Sequence, residues 1–150
     1  ADEMRLLANV EVFAVATQQA GEQWLLLDLT RAVHEWMATQ EYRDAYFESP
    51  EDLAGYQTGE LTEFVADLTA KLKNRISAEA GPDTVVALMG VGTLFGLARV
   101  SSVVEGVKEA VQGRLLVFFP GEHHPENHTY RLLDARDGWN YLAVPLLAKD

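Results

Sequence analysis

The chain has 150 residues, 12 basic and 23 acidic side chains, a formal charge of −11 and no cysteine. Nucleic-acid binding needs clustered Lys and Arg, so this balance excludes it for the isolated chain and disfavours an anionic membrane surface. Without Cys there is no disulfide, thiolate metal site or Cys nucleophile, and no apolar run approaches the roughly 20 residues of a membrane span.

The hydrophobic share of 48% suits one domain with a real core. No basic segment leads into an apolar signal-like core, so a cytoplasmic location is expected. Residues 2–19 read as a helix, with Asp2 and Glu3 in a first turn and Leu6, Leu7, Val10, Phe13 and Ala14 on one face. Val12 and Val15 fit a strand equally well, and Gly21 is a helix stop. Gln23 to Leu29 reads as a short buried strand. Thr30 or Asp28 then caps a helix over 31–40, whose apolar face is Val33, Trp36 and Met37. Glu41 to Phe47 looks helical and Ser49-Pro50 breaks it.

Thr58 precedes a long helix over 60–80 with Leu61, Phe64, Val65, Leu68, Leu72 and Ile76 at helical spacing, ended by Gly81-Pro82. The centre of the chain is Val85 to Gly121. Its apolar runs Val85–Met89 and Leu115–Phe119 are bounded by Gly and Pro and enclose a helical pattern over 94–112. Strand, crossover helix and strand make a βαβ unit with parallel strands. Residues 121–128 read as a polar loop. Thr129–Leu133 and Asn140–Leu146 read as a hairpin around the Asp137-Gly138 turn, with Pro145 at an edge position. The expected fold is α/β, a three-layer, mainly parallel sheet flanked by helices with a C-terminal antiparallel hairpin, in a single domain over 1–150.

Gly90-Val91-Gly92-Thr93 lies after a strand and before a helix, where α/β folds bind phosphates. The dinucleotide fingerprint fails, because Phe95 stands where Gly is needed, and Gly-Lys-Ser/Thr occurs nowhere. A tight turn is the plainer reading, with Gly92 expected to have positive φ or a close helix contact. Gly90, Gly92, Thr93, Arg99, Pro120 and Gly121 are the candidate ligand-loop residues. Arg99 falls one to two turns into the following helix and reads best as a snorkelling surface Arg. His123, His124 and His128 share a loop with Glu122 and Glu126, but a structural metal site wants four convergent ligands, and no metal is expected. Asp134, Arg136 and Asp137 read as turn residues, and no G-x-S-x-G elbow exists, so no catalytic residue is assigned. Trp139, Tyr141 and Tyr130 are candidate partner anchors, since Trp and Tyr dominate interface hot spots, whereas Trp24 and Trp36 read as core.

Met89-Gly90-Val91-Gly92 with Arg99 downstream, followed by Leu116-Val117-Phe118-Phe119-Pro120-Gly121-Glu122, resembles the BrxB family of BREX bacteriophage-defence proteins. Tyr130-Arg131-Leu132-Leu133 and Asp137-Gly138-Trp139-Asn140-Tyr141 look like that family's aromatic C-terminal strand pair. The resemblance is strongest over 84–146; earlier residues agree in element order, with an Asp28-ended strand before a helix. Family members usually carry a further strand and helix upstream, so an N-terminal piece is expected to precede this chain. The family's basic or polar position after the second glycine is Thr93 in this chain. The resemblance implies a non-catalytic, cofactor-free component of a defence complex whose partner is PglZ, the alkaline-phosphatase-like BREX protein. The competing reading is a nucleotide- or metal-dependent hydrolase or binding domain using the loop at Gly90–Thr93 and Gly121.

Overall fold

The apolar runs read as strands form a parallel sheet. The computed structural model describes residues 2–39, 62–94, 97–119, 122–124, 129–132, 135–137 and 146. Strands β1 (Gln23–Asp28), β2 (Thr84–Met89) and β3 (Arg114–Val117) lie in the order β1-β2-β3. Leu25 is level with Val86 and Ala87 with Leu116, and all pairs are parallel. The central strand is buried almost throughout, which is why its sequence is a continuous apolar run rather than an alternating one.

Helices α1 (Asp2–Gln19), α2 (Ala32–Thr39), α3 (Thr62–Glu79) and α4 (Val100–Lys108) flank the sheet. Crossovers of one hand between strands laid down in sequence put α2, α3 and α4 on the same face. There Phe64, Leu68, Leu72 and Ile76, spaced one turn apart on α3, bury against Leu27, Leu29, Val86 and Leu88. Trp36 of α2 meets Phe64 edge to face, with centroids 5.5 Å apart, and its Nε1–H donates to Asp67 at 2.9 Å. Helix α1 lies on the opposite face, where Val10 joins Ala87, Met89 and Phe118. Phe13 and Trp24 both make edge contacts with Phe118, at 5.6 and 6.4 Å. The layers are therefore α1, sheet, then α2 with α3 and α4.

Three expectations change. Leu7, assigned to the inner face of α1, is 46% exposed, because Val10 and Phe13 aim the helix differently. The helix expected over 94–112 is split. Val91–Leu94 is a 3₁₀ turn, and α4 begins at Val100 after Arg99 takes an extended backbone at φ −80°, ψ 127°. Arg99 is therefore the exposed residue ahead of α4, not a residue inside a helix. Glu109–Ala110 closes α4 early, with Ala110 N–H donating to the Val107 carbonyl.

The C-terminal pairing also differs from the expected hairpin. Strands β4 (Glu122–His124), β5 (Thr129–Leu132) and β6 (Ala135–Asp137) form a separate antiparallel sheet. Tyr130 is level with both His123 and Asp137. Asp137 is thus a strand residue rather than part of the turn. The expected partner strand 140–146, apart from Leu146, lies outside the described residues, as do the helical turns expected at 41–47 and Leu61.

Candidate functional site

The C-terminal edge of the parallel sheet is where an α/β fold places a ligand. Two loops meet there. After β1, Asp28 accepts hydrogen bonds at Oδ1 from both the Thr30 N–H, at 2.9 Å, and the Thr30 hydroxyl. This is a local Asx-type turn, favoured by the Asp-x-Thr spacing. The carboxylate thus shapes the turn, and the first amide of α2, Ala32 N–H, donates instead to the Leu29 carbonyl at 3.0 Å. Buried Leu29 ties the loop to the sheet through its N–H, which donates to the Met89 carbonyl at 2.8 Å.

After β2, Gly90 turns the chain at φ 77°. A Cβ there would lie 2.5 Å from the Thr30 nitrogen and 2.6 Å from its hydroxyl oxygen. Gly90 is therefore required twice, by its left-handed backbone and by the neighbouring loop. Gly92, expected to be the demanding position, sits in the 3₁₀ turn without a positive φ. The Thr93 N–H donates to the Gly90 carbonyl at 3.2 Å. Its hydroxyl lies 2.8 Å from the Gly90 carbonyl and 3.2 Å from that of Leu29. Val91 and Leu94 are fully buried beneath the turn, in the core with Leu29.

A phosphate cradle needs backbone N–H groups and hydroxyls aimed at open space. Here the Thr30 and Thr93 hydroxyls and the Thr93 amide serve the chain itself, and Val91 and Leu94 anchor the turn downwards. Of the proposed ligand-loop residues, Gly90, Gly92 and Thr93 come together, and Arg99 stands before α4. Pro120 and Gly121 lie outside the described residues. Phe118, just before them, is buried, and its N–H extends the sheet by donating to the Leu88 carbonyl at 2.9 Å.

Among the described residues no group of three His, Cys, Asp or Glu side chains is placed to hold a metal ion. His123 and His124 are consecutive residues of β4, and His128 lies outside the described residues. Tyr130 is in β5, whereas Trp139 and Tyr141 also lie outside them. No described helix is long and apolar enough to cross a membrane. A shallow groove of about 550 Å³ runs between α3 and α4, away from the loops, beside Thr69, Lys73, Ser102 and Gly106.

Two features escaped the sequence reading. Thr30 contacts the glycine loop from 60 residues away, and only the Asp28-x-Thr30 spacing hinted that it would shape a turn. The second is the outer surface of α1, where Met4, Val12 and Val15 are 77%, 65% and 52% exposed. The signal lay in valines that did not fit the single expected helix face.

The family model described as BREX protein BrxB matches residues 25–146, from β1 through the C-terminal strands. No curated protein and no solved structure matches the chain. The match spans most of the chain, including the β1 turn, the glycine loop and the Phe118-Phe119 strand end: the chain belongs to the BrxB family of BREX phage-defence components.

Proposed function

We propose that this BrxB-family chain is a non-catalytic protein-interaction component of its BREX system and binds the alkaline-phosphatase-like protein PglZ. The observation that supports this reading is the use the β1 and glycine loops make of their own polar groups. Thr30 occupies the space beside Gly90, and the loop hydroxyls are engaged by Asp28 and by the Gly90 and Leu29 carbonyls. The acidic balance of −11 favours a protein partner with basic surface over a nucleic acid. The C-terminal aromatics Tyr130, Trp139 and Tyr141 remain the anchors to substitute first on that side.

The test is co-purification of the natural full-length protein with the PglZ encoded beside it, read by size-exclusion chromatography with light scattering. A stable co-eluting complex is expected. Separate elution at micromolar concentrations of both would overturn the partner assignment. A thermal-shift screen with nucleotides and divalent ions addresses the hydrolase reading. A true ligand at about 100 times its Kd stabilises by about 2.7 kcal/mol, and such a shift would reopen the glycine loop as a binding site.

A further inference from the structure

Helix α1 is apolar on two sides. Its inner side buries Val10 and half-buries Phe13 against Ala87, Met89 and Phe118. Its outer side carries Met4, Ala8, Val12 and Val15, which recur at helical spacing and leave Met4, Val12 and Val15 more than half exposed. From Met4 to Val15 this second stripe is about 16 Å long, three turns of helix. By contrast, α3 buries one stripe and leaves charged residues outside: Lys71, Arg75 and Glu79 are exposed. Exposed Glu11 borders this stripe, and an apolar stripe along a helix normally faces something that covers it.

Charge narrows what covers it. Glu11 on α1 and Glu22 after it are both exposed and acidic. The last turn of α1 holds no basic residue to offset its negative dipole end. Two acidic residues sit at that same end. Glu22 follows the helix directly, and Asp83 is brought alongside because its carbonyl accepts from the Gln23 N–H at 2.8 Å. Arg114, on the neighbouring strand β3 and level with Val85, is the basic residue on the Asp83 side, and Glu22 lies beyond Asp83 on the β1 side. A second copy of this chain would bring acidic flanks together. We infer that the outer face of α1 docks a basic amphipathic helix of a protein partner, whose apolar stripe covers Met4, Val12 and Val15 and whose Lys or Arg residues meet Glu22, Asp83 and the C-terminal end of α1.

This inference deepens the partner-binding reading and can be tested apart from it. The probe is a synthetic 18-residue Leu/Lys amphipathic helix, with a Leu/Glu helix of the same pattern as control, titrated against the natural full-length protein. Saturable binding of the Leu/Lys peptide is expected, weakened several-fold between low and high salt, with no binding of the Leu/Glu peptide. The variant Val12→Glu/Val15→Glu separates docking from bulk attraction. It makes the face more acidic, so unspecific charge attraction predicts tighter binding, whereas apolar docking predicts at least about tenfold weaker binding, or about 1.4 kcal/mol. Circular dichroism and the unfolding midpoint establish that the variant is folded, and Val12→Ser/Val15→Ser provides a gentler pair if it is not.

Hydroxyl-radical oxidation of Met4 supplies a local readout. Fast oxidation in the free protein and protection by the Leu/Lys peptide are expected. Unchanged or tighter binding in the glutamate variant would overturn the inference. So would protection of Met4 in the free monomer, which means the protein's own chain covers the face, or a concentration-dependent dimer abolished by the same substitutions. Full-length PglZ distinguishes the two readings. If wild-type protein binds it and the α1 variant binds equally well, the surface assignment fails and the partner stands. If wild-type protein does not bind it, the partner assignment fails, and the peptide titration still decides the surface.

Discussion

Gly90→Ala should be far more costly than an added methyl group at an exposed turn. At φ 77° an L-residue is strained by about 1–2 kcal/mol. The new Cβ would also lie 2.5 Å from the Thr30 nitrogen and 3.0 Å from its Cα, both backbone atoms that no rotamer change can move away. The β1 and β2 loops must then part. Parting stretches the Leu29 N–H bond to the Met89 carbonyl and the Thr93 hydroxyl contact with the Leu29 carbonyl. At about 1 kcal/mol each, these bring the expected loss to about 3–4 kcal/mol. For a domain of this size that corresponds to a fall of roughly 10 °C in Tm. Urea unfolding followed by tryptophan fluorescence suits the question, since half-buried Trp24 and Trp36 lie on opposite faces of the sheet. Thr30→Ala is the informative companion. It removes the hydroxyl but leaves the nitrogen in place, so the double variant should recover less than about 1 kcal/mol. Gly90→Ala within about 0.5 kcal/mol of wild type, or full rescue by Thr30→Ala, would refute the backbone-contact argument.

A methyl group at Gly106 on α4 would run into the Thr69 methyl on α3, so Gly106→Ala should cost about 1–3 kcal/mol. This contact involves a side chain, and Thr69→Ser, which removes the methyl, should restore most of the loss in a double-mutant cycle. The Thr69 hydroxyl is buried without a hydrogen-bond partner. Thr69→Val replaces it with a group of similar shape and should stabilise by about 1 kcal/mol in the same urea assay. Asp28→Ala removes the acceptor for both the Thr30 amide and hydroxyl and should cost about 1–2 kcal/mol, with no loss of α2 by circular dichroism because α2 is not capped by that carboxylate. Ile76→Ala empties a fully buried position and should cost about 2–5 kcal/mol, whereas Glu79→Ala loses only the exposed pair with Arg75, worth about 0.5 kcal/mol or less.

The elements legible in the sequence are those set by local chemistry. Gln23–Asp28 and Thr84–Met89 are short apolar runs between breakers, and burial on both faces of a parallel strand requires such a run. Phe64, Leu68, Leu72 and Ile76 repeat each turn, so α3 could be placed within two residues at either end. The start of α4 was not legible, because apolar residues continue at helical spacing through the 3₁₀ turn, and the break lies in the extended backbone of Arg99, a good helix former. The choice between Gly90 and Gly92 was hidden for a different reason. It depends on where Thr30 lies, and a contact between two loops leaves no periodic trace. The C-terminal pairing was misread because Asp137-Gly138 is a strong turn signal, yet Asp137 lies in β6 and pairs with Tyr130.

The two faces of the sheet answer to different constraints. On the face of α2, α3 and α4, apolar side chains from all three helices close over Leu27, Leu29, Val86 and Leu88. On the other face α1 meets a smaller cluster around Ala87 and Phe118 and carries its remaining apolar residues outwards. Fully burying a Val or Met side chain stabilises by about 1.5–3 kcal/mol, so an outer stripe of three forgoes several kcal/mol while nothing covers it. Folding of the sheet does not require that stripe, since among the described residues Val10 and Phe13 make the inward contacts. Polar residues at Met4, Val12 and Val15 would satisfy α1 as a surface helix equally well. A partner docked on the outer stripe, as proposed, would recover that burial, and this is why the stripe rather than the sheet is the place to test the proposed role.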